Sequence, residues 1–327
     1  MPVRPSGRVA LRISMAGVSV VGRSRQCRPV GWWRLQAGAS RWHHRRMLSP
    51  AQQLRYQADG FLVLPGFKTA AEVAALRQRA GEIVEAFDAD SHRAIFSTSD
   101  QARRAASDAF LASAEGIQCF FEEEAFDETG RLRQAKALSI NKIGHAMHDL
   151  DPVFSAFSRG PALGELARDL GLQRPQLWQS MYIFKQPGIG GEVKWHQDAS
   201  FFDTTPSTVT GFWFALEDAT VDNGCLWMQP GGHRGPLRER FVREGDTVRM
   251  ESLDTTPWPD MSTAVPVPAE AGTLVVFHGL LPHWSAPNRS ERSRHAYTLH
   301  ATDAQAAYAP HNWLQRSDRF PVRGFVD

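Results

Sequence analysis

The residues best suited to chemistry in this chain are His196 and Asp198, which form a His-x-Asp pair. Two imidazoles and one carboxylate can occupy one face of an octahedral ferrous ion and leave three positions open for small molecules. On a β-strand, residues i and i+2 point to the same side, so both side chains can converge on one ion while Gln197 points away. The pair therefore indicates two of the three ligands of a mononuclear non-haem iron site, which is typical of an oxygenase.

Two downstream histidines, His278 and His283, compete for the third ligand position, and each has an arginine eleven residues later. In an iron oxygenase that uses 2-oxoglutarate, such an arginine can pair bidentately with the far carboxylate of the co-substrate. Arg289 lies in the turn-forming sequence Pro-Asn-Arg-Ser, whereas Arg294 opens a run of strand-forming residues. Because a strand holds a side chain more firmly, we expect His283 to be the ligand and Arg294 to hold the carboxylate. His278 would then end a strand over residues 273–277.

The elements that must position these residues are short strands. From Gln176 onward, apolar runs alternate with turn residues, which is typical of an antiparallel sandwich or jelly roll. The predicted strands cover residues 177–184, 209–216, 224–228, 247–250, 272–277 and 296–300.

The preceding part of the chain is predicted to be mainly helical. Helix-capping residues and an amphipathic period support the first two helices, and a closing glycine supports the third. The predicted helices cover residues 49–60, 69–87 and 151–170, and a hairpin turn is predicted at 127–130. These helices would have no core without the sheet, so we interpret residues 47–327 as a single domain.

The sequence around the His-x-Asp pair resembles the phytanoyl-CoA dioxygenase family from about Leu48 to about Leu314. A lone His-x-Asp is a weak signal, but several similar blocks follow one another in the family's order. They are Asp-Gly-Phe-Leu-Val-Leu (59–64), Ser-Ile-Asn-Lys-Ile-Gly-His-Ala (139–146), Gln-Ser-Met-Tyr-Ile-Phe-Lys-Gln-Pro (179–187), Gly-Glu-Val (191–193), His-Gln-Asp-Ala-Ser-Phe (196–201), Glu-Asp-Ala-Thr (217–220), Asn-Gly-Cys-Leu-Trp (223–227) and Pro-Gly-x-His (230–233).

The resemblance implies a mainly β fold with added helices, in which a double-stranded β-helix core of the jelly-roll or cupin type is braced by N-terminal helices. It implies Fe(II) as the metal, 2-oxoglutarate and O2 as co-substrates, and ascorbate as a candidate further cofactor. Carried over by position, the iron ligands are His196, Asp198 and His283. The co-substrate pocket would comprise Lys142, Met181, Trp213, Ser285 and Arg294.

Each of the five pocket residues has a chemical reason to be there. Lys142 and Arg294 are cations for a dianionic ligand, and the Ser285 hydroxyl can reach a carboxylate from the strand face of the distal ligand. Trp213 and Met181 would supply apolar walls that keep bulk water away from the iron. One departure from the family pattern is a tryptophan beside each histidine ligand, at positions 195 and 284. On ideal strands these side chains face away, so we interpret them as packing.

The implied activity is hydroxylation of an unidentified small molecule with release of succinate and CO2. Related iron halogenases have a small residue where this chain has Asp198, so hydroxylation is the expected outcome. A cupin-like metal-binding or regulatory protein without turnover is the alternative, and a metal-dependent hydrolase is a weaker one. The family name suggests an acyl-CoA substrate, but a group of four arginines is the main basic cluster of the body. It consists of Arg234, Arg238, Arg240 and Arg243.

The charge of the chain is divided between a basic leader and an acidic body. Residues 1–47 contain ten Arg and no Lys, Asp or Glu. We expect residues 1–46 to be disordered, and interpret them as an over-extended reading frame, a mitochondrial targeting segment or a basic binding arm, in that order. Because the body is acidic, no nucleic-acid partner is expected.

The composition is ordinary for a soluble globular protein. Apolar residues make up 42% of the chain and charged residues 22%, and no apolar run reaches the length needed to span a bilayer. The three cysteines are widely spaced, which favours a reducing compartment. We therefore expect a cytoplasmic monomer or weak homo-oligomer that acts on a small-molecule substrate away from membranes.

Overall fold

The computed structural model describes residues 46–89, 92–96 and 108–326. Apart from Arg46, the predicted leader lies outside the described residues. The division of the chain at residue 47 therefore stays a prediction.

Six α-helices lie within the described residues. They are α1 (Pro50–Asp59), α2 (Ala70–Ala86), α3 (Asp108–Ala112), α4 (Met147–Leu150), α5 (Pro152–Ser158) and α6 (Pro161–Asp169).

Local sequence fixes the start of the first two helices. Ser49 accepts a hydrogen bond from the backbone of Gln52, whose side chain accepts one from the backbone of Ser49 in return. Thr69 and Glu72 form the same reciprocal pair at the start of α2. Each pair satisfies two backbone N–H groups that an α-helix leaves unbonded at its first turn. The predictions for these two helix starts are confirmed.

The strands of the described residues pair in an antiparallel manner. They are β1 (Phe61–Leu64), β2 (Ile117–Phe121), β3 (Ile140–His145), β4 (Pro175–Ile183), β5 (Val193–His196), β6 (Thr204–Thr205), β7 (Thr210–Ala215), β8 (Leu226–Met228), β9 (Glu239–Glu244), β10 (Thr247–Ser252), β11 (Val265–Val267), β12 (Leu274–His278), β13 (His283–Ser285), β14 (Ala296–Asp303) and β15 (Ala307–Tyr308).

Two sheets form the body of the fold. A seven-stranded sheet has the order β1-β12-β7-β14-β4-β3-β2, and a four-stranded sheet has the order β11-β8-β13-β5. Their inner faces meet in one buried apolar cluster, to which the large sheet contributes Val275 and Phe277 and the small sheet Leu226 and Met228. The predicted mainly β, jelly-roll core is confirmed.

The helices cover the outer face of the large sheet. Phe212 and Phe214 of β7 pack in a second apolar cluster with Leu76 of α2 and Phe157 of α5. Trp213, between the two phenylalanines, points into the inner cluster instead, as the two-residue period of a strand requires. The prediction that helices brace the sheet is confirmed.

The prediction of one helix over residues 151–170 is wrong, because the structure has two helices, α5 and α6, there. Gly160 has φ +137°, outside the helical region, and Pro161 has no backbone N–H to continue a helical ladder. The proline takes the first position of α6, where its missing N–H costs nothing.

The predicted hairpin turn at residues 127–130 is confirmed, and Phe126 faces Leu132 across it in an antiparallel bridge. The turn exists, with the N–H of Gly130 donating to the carbonyl of Asp127. However, strand β2 pairs with β3, which lies beyond that turn, rather than with the residues next to it.

Across the described residues, the structure contains no helix with both the length and the apolar character needed to cross a bilayer. The cytoplasmic location expected from the sequence stays a prediction.

Candidate active site

His196, Asp198 and His283 come together between the two sheets, with one potential ligand atom from each within 4.8 Å of the others. Asp198 Oδ1 lies 3.7 Å from His196 Nε2 and 3.6 Å from His283 Nε2. His196 Nδ1 lies 2.8 Å from the carbonyl oxygen of Lys194, and His283 Nδ1 lies 3.0 Å from the carbonyl oxygen of Leu281. An Nδ1–H that donates to a carbonyl leaves the Nε2 lone pair for a metal. The three side chains therefore present a facial set of two nitrogens and one oxygen.

Strand register brings the two histidines together, because His196 of β5 lies directly opposite His283 of β13. Asp198 is not on a strand, which corrects the prediction, because β5 ends at His196 and a 3-10 turn begins at Asp198. The intervening Gln197 keeps extended angles, φ −122° and ψ 132°, so the side-chain alternation continues for two more residues. Gln197 points away and donates to the carbonyls of Pro236 and Leu280.

The protonation states suit a metal. Burial, followed by the nearby His283, lowers the pKa of His196 to about 3. Burial alone would raise the pKa of Asp198, but His300 and His283 hold it below its ordinary value. Metal ligands must be deprotonated, and these shifts keep a neutral imidazole and a carboxylate in place at neutral pH.

His300 is a site residue that the sequence analysis missed. It lies on β14, is buried, and places Nε2 3.1 Å from Asp198 Oδ2, the oxygen that does not face the two histidines. Its ring stacks on Phe202 with centroids 5.1 Å apart. Because Arg294 precedes β14, strand alternation counted from Arg294 does not identify His300, whose position depends on the register of β14 in the sheet.

We expect His300→Ala to weaken metal binding by roughly 10- to 100-fold, the usual effect of removing an outer partner of a metal ligand. Without the imidazole, the Asp198 carboxylate can rotate away from the two histidines. Calorimetric titration with Mn(II) would measure the change. His311→Ala is the matched control, because His311 lies 3.0 Å from Asp203 in another His–Asp pair. Equal losses in both variants would contradict a role for His300 at the metal.

A cavity of about 850 Å³ contains the three candidate ligands and borders both sheets. All five residues that were predicted for the co-substrate pocket line it, namely Lys142, Met181, Trp213, Ser285 and Arg294. Thr298 of β14 pairs with Met181 on the neighbouring strand β4 and with Trp213 on the other neighbour, β7. The three residues therefore form one row across the sheet. The structure thus brings the predicted pocket residues to one space.

Arg294 is 1% exposed, and its fixed position does not come from a strand. This corrects the prediction, since β14 begins only at Ala296. Instead, Arg294 Nε donates to the carbonyl of Gly224 at 3.0 Å, and its guanidinium lies over the Trp213 ring at 5.4 Å. Burial lowers its pKa to about 10, which leaves it charged at neutral pH. Its Nη1 has no hydrogen-bond partner among the described residues.

The competing residues, His278 and Arg289, are less suitably placed than His283 and Arg294. His278 ends β12, accepts a hydrogen bond from the backbone of Leu280 and packs against His233, outside the three-residue cluster. Arg289 also borders the cavity, but it is exposed, and its guanidinium is engaged by Glu124 and the carbonyl of Gly188. The structure therefore favours His283 as the ligand and the buried Arg294 as the carboxylate holder.

The two tryptophans beside the histidines do not simply face away, as the sequence predicted. Trp195 and Trp284 both border the cavity, and their rings stack on each other with centroids 6.3 Å apart. Trp284 Nε1 also donates to Glu192 at 2.6 Å. They form an aromatic edge next to the candidate metal site.

Comparison with known proteins gives the family. The sequence profile of the family described as Phytanoyl-CoA dioxygenase (PhyH) matches residues 56–296. A rice protein named Phytanoyl-CoA dioxygenase 1 is 49% identical, covering 81% of this chain and 93% of its own length. The bovine Phytanoyl-CoA dioxygenase domain-containing protein 1 is 46% identical, covering 84% of this chain and 97% of its own length.

Solved structures share the fold at lower sequence identity. EctD from S. alaskensis, determined with 2-oxoglutarate and 5-hydroxyectoine, is 22% identical with a TM-score of 0.60, covering 88% of this chain and 90% of its own. The epimerase SnoN, determined with Fe3+, alpha ketoglutarate and nogalamycin RO, is 20% identical with a TM-score of 0.56, covering 84% of this chain and 99% of its own. Since the family profile spans most of the chain and the relatives match along nearly their whole length, this protein belongs to the phytanoyl-CoA dioxygenase family.

Proposed function

We propose that this protein is an Fe(II)- and 2-oxoglutarate-dependent dioxygenase that hydroxylates a small molecule and releases succinate and CO2. The observation that carries the proposal is a facial His–Asp–His set that shares one cavity with a buried, incompletely paired arginine. The first feature suits ferrous iron, and the second suits a ligand with a carboxylate at some distance from the metal.

His196, Asp198 and His283 would hold the iron. Their donor set, two nitrogens and one oxygen, is the one that non-haem iron oxygenases use. When bound, Fe(II) and 2-oxoglutarate supply the oxygen-activating chemistry, in which oxidative decarboxylation of the 2-oxo acid accompanies insertion of one oxygen atom into the substrate. Asp198 fills the ligand position that a halogenase leaves for chloride, which favours hydroxylation.

The cavity has the charge that a dianionic co-substrate needs. Lys142, Lys185 and Arg294 are buried cations that line it. Glu122 is a buried acid in the same lining, but burial raises its pKa, which weakens its ability to balance them. Arg294 Nη1 has no hydrogen-bond partner among the described residues, and a buried charge is costly unless it is paired, so a bound dicarboxylate would stabilise Arg294.

Apolar residues on the inner face exclude water from the candidate metal site. Trp213 and Phe277 are almost fully buried and border the cavity beside the candidate ligands. The ring of Phe277 lies 4.7 Å from that of His283. A dry site strengthens the electrostatic interactions of the bound co-substrate and protects a reactive oxidant from side reactions.

The four arginines of the basic cluster each bind protein groups, although Arg238 Nη1 has no hydrogen-bond partner among the described residues. Arg234 donates to backbone carbonyls of residues 57 and 58, and Arg240 pairs with Asp203 and Glu251. Arg238 and Arg243 donate to the carbonyls of residues 256 and 245. We therefore favour a small metabolite without a nucleotide portion as the substrate.

Stimulated succinate release in a metabolite screen tests the function. With Fe(II), O2 and 2-oxoglutarate present, we expect one class of small metabolite to raise succinate production several-fold, and acyl-CoA thioesters to do so less. Omission of iron should remove the signal. A protein that binds metal and 2-oxoglutarate but forms no succinate under any condition would instead be a cupin-like binding protein.

A further inference from the structure

Lys185 is a buried basic residue of the pocket that the sequence analysis did not identify, and its backbone is unusual. The side chain is 2% exposed. Its φ is +44°, and within the described residues no other non-glycine residue has a positive φ. A residue with a Cβ is strained in this left-handed region, so surrounding contacts must hold it there. Such strain occurs most often at functional sites.

The contacts that hold Lys185 also involve the candidate carboxylate clamp. Its carbonyl accepts hydrogen bonds from the side chain of Asn288 at 2.9 Å and from the backbone of Arg294 at 3.3 Å. Gly224 makes room for the Lys185 stem, because a Cβ at Gly224 would lie 2.8 Å from Lys185 Cε. The carbonyl of the same glycine binds Arg294 Nε. Lys185 and Arg294 are therefore positioned by one set of contacts.

The ammonium group of Lys185 determines what the Ser285 hydroxyl can do. Lys185 Nζ donates to Ser285 Oγ at 2.9 Å and to the carbonyl of Gly191 at 2.6 Å. When the Lys185 amine is protonated it has only donors, and Ser285 Oγ is then the acceptor in this contact. The hydroxyl hydrogen of Ser285 then remains for another acceptor, and no described residue accepts it. Ser285 is 1% exposed and lines the cavity, so a ligand oxygen can take that place.

Charge points to the same kind of ligand. Lys185 and Arg294 are both buried. Burial first and the nearness of Arg294 second lower the pKa of Lys185, whereas Glu122 and Glu192 act in the opposite direction. Two adjacent buried cations repel each other, and an anion between them would relieve the repulsion.

We propose that Lys185 is a positioning residue for 2-oxoglutarate, which turns the Ser285 hydroxyl hydrogen toward the far carboxylate and, with Arg294, makes the pocket selective for a dicarboxylate. The inference rests on the proposed use of 2-oxoglutarate.

Direct binding to the Mn(II)-loaded protein, measured by calorimetry, tests this role. The two probes are 2-oxoglutarate and 2-oxobutyrate, which has the same 2-oxo acid head but no far carboxylate. We expect Lys185→Met to raise the Kd for 2-oxoglutarate tenfold or more, with little change for 2-oxobutyrate or Mn(II). Ser285→Ala should give a similar loss. The double variant should lose little more affinity for 2-oxoglutarate than either single variant. Both substitutions remove the same hydrogen bond from Ser285 to the co-substrate, so their effects are not additive.

Lys68→Met is the matched control. Lys68 is also buried and donates to Glu72 at 3.0 Å, but it does not line the cavity. This variant should leave both ligand affinities unchanged. If Lys185→Met does not fold, Lys185→Gln replaces it and should show the same selective loss.

The outcomes separate the inference from the proposed function. If the unaltered Mn(II)-loaded protein binds no 2-oxoglutarate, the proposed function fails. If it binds 2-oxoglutarate and Arg294→Lys weakens that binding, the inference is still overturned by any of three results. These are an unchanged Kd in a folded Lys185 variant, an equal loss for both probes, and additive losses in the double variant.

Discussion

Replacement of His196, Asp198 or His283 with alanine should abolish iron-dependent succinate production. Each side chain would supply one of three protein ligands, and within the described residues no other group of three or more such side chains could hold a metal. The loss of metal affinity should exceed the roughly 10- to 100-fold that follows removal of an outer partner. Mn(II) titration and succinate assays on the purified variants would measure both effects.

His278→Ala is the control for this experiment. His278 is the other histidine that the sequence offered as the third ligand. It packs against His233, away from the cluster of His196, Asp198 and His283. We expect the variant to keep its metal affinity and most of its turnover. An inactive His278→Ala beside an active His283→Ala would mean that the distal ligand had been assigned to the wrong histidine.

Arg294→Lys should raise the Michaelis constant for 2-oxoglutarate and leave metal affinity nearly unchanged. Lysine keeps the positive charge but loses the planar fork that pairs with both oxygens of a carboxylate. The expected loss is about 1.5–3 kcal/mol, typical of a hydrogen bond to a charged group. It corresponds to roughly a tenfold to hundredfold loss of affinity. Succinate formation across a range of 2-oxoglutarate concentrations would measure it.

Arg289→Lys is the matched control, because Arg289 is an exposed arginine whose partners are Glu124 and the carbonyl of Gly188. An exposed ion pair contributes little, so this variant should behave like the unaltered protein. The reverse pattern would assign the carboxylate to Arg289. If neither variant changed the dependence on 2-oxoglutarate, the enzyme would use another co-substrate.

The sequence alone was enough to predict the features that depend on neighbouring residues. The N-cap Ser49 with the proline after it, and the capping box from Thr69 to Glu72, are local patterns, and both helices start where these patterns predict. The prediction that His196 and Asp198 point to the same side, made from their i, i+2 spacing, is correct for a similar reason. Even though the strand ends at His196, the extended backbone of Gln197 preserves the alternation.

Local patterns failed where distant segments decide the outcome. Strand β2 pairs with β3, although the tight turn next to it predicted a closer partner. The turn is satisfied by its own short hydrogen bonds, while the sheet offers β2 a longer ladder and a buried face.

The parts of the site that support the predicted residues were decided by tertiary structure. His300 contacts Asp198 because β14, the middle strand of the large sheet, carries His300 to the cavity that Asp198 also borders. Lys185 reaches Ser285 because a left-handed backbone turns its side chain inward next to Gly224. Residue types and spacing identify groups that can bind a metal or a carboxylate. Which buried partner holds each group in place depends on sheet register and on the cost of leaving a buried charge unpaired, and neither is encoded in any short stretch of the chain.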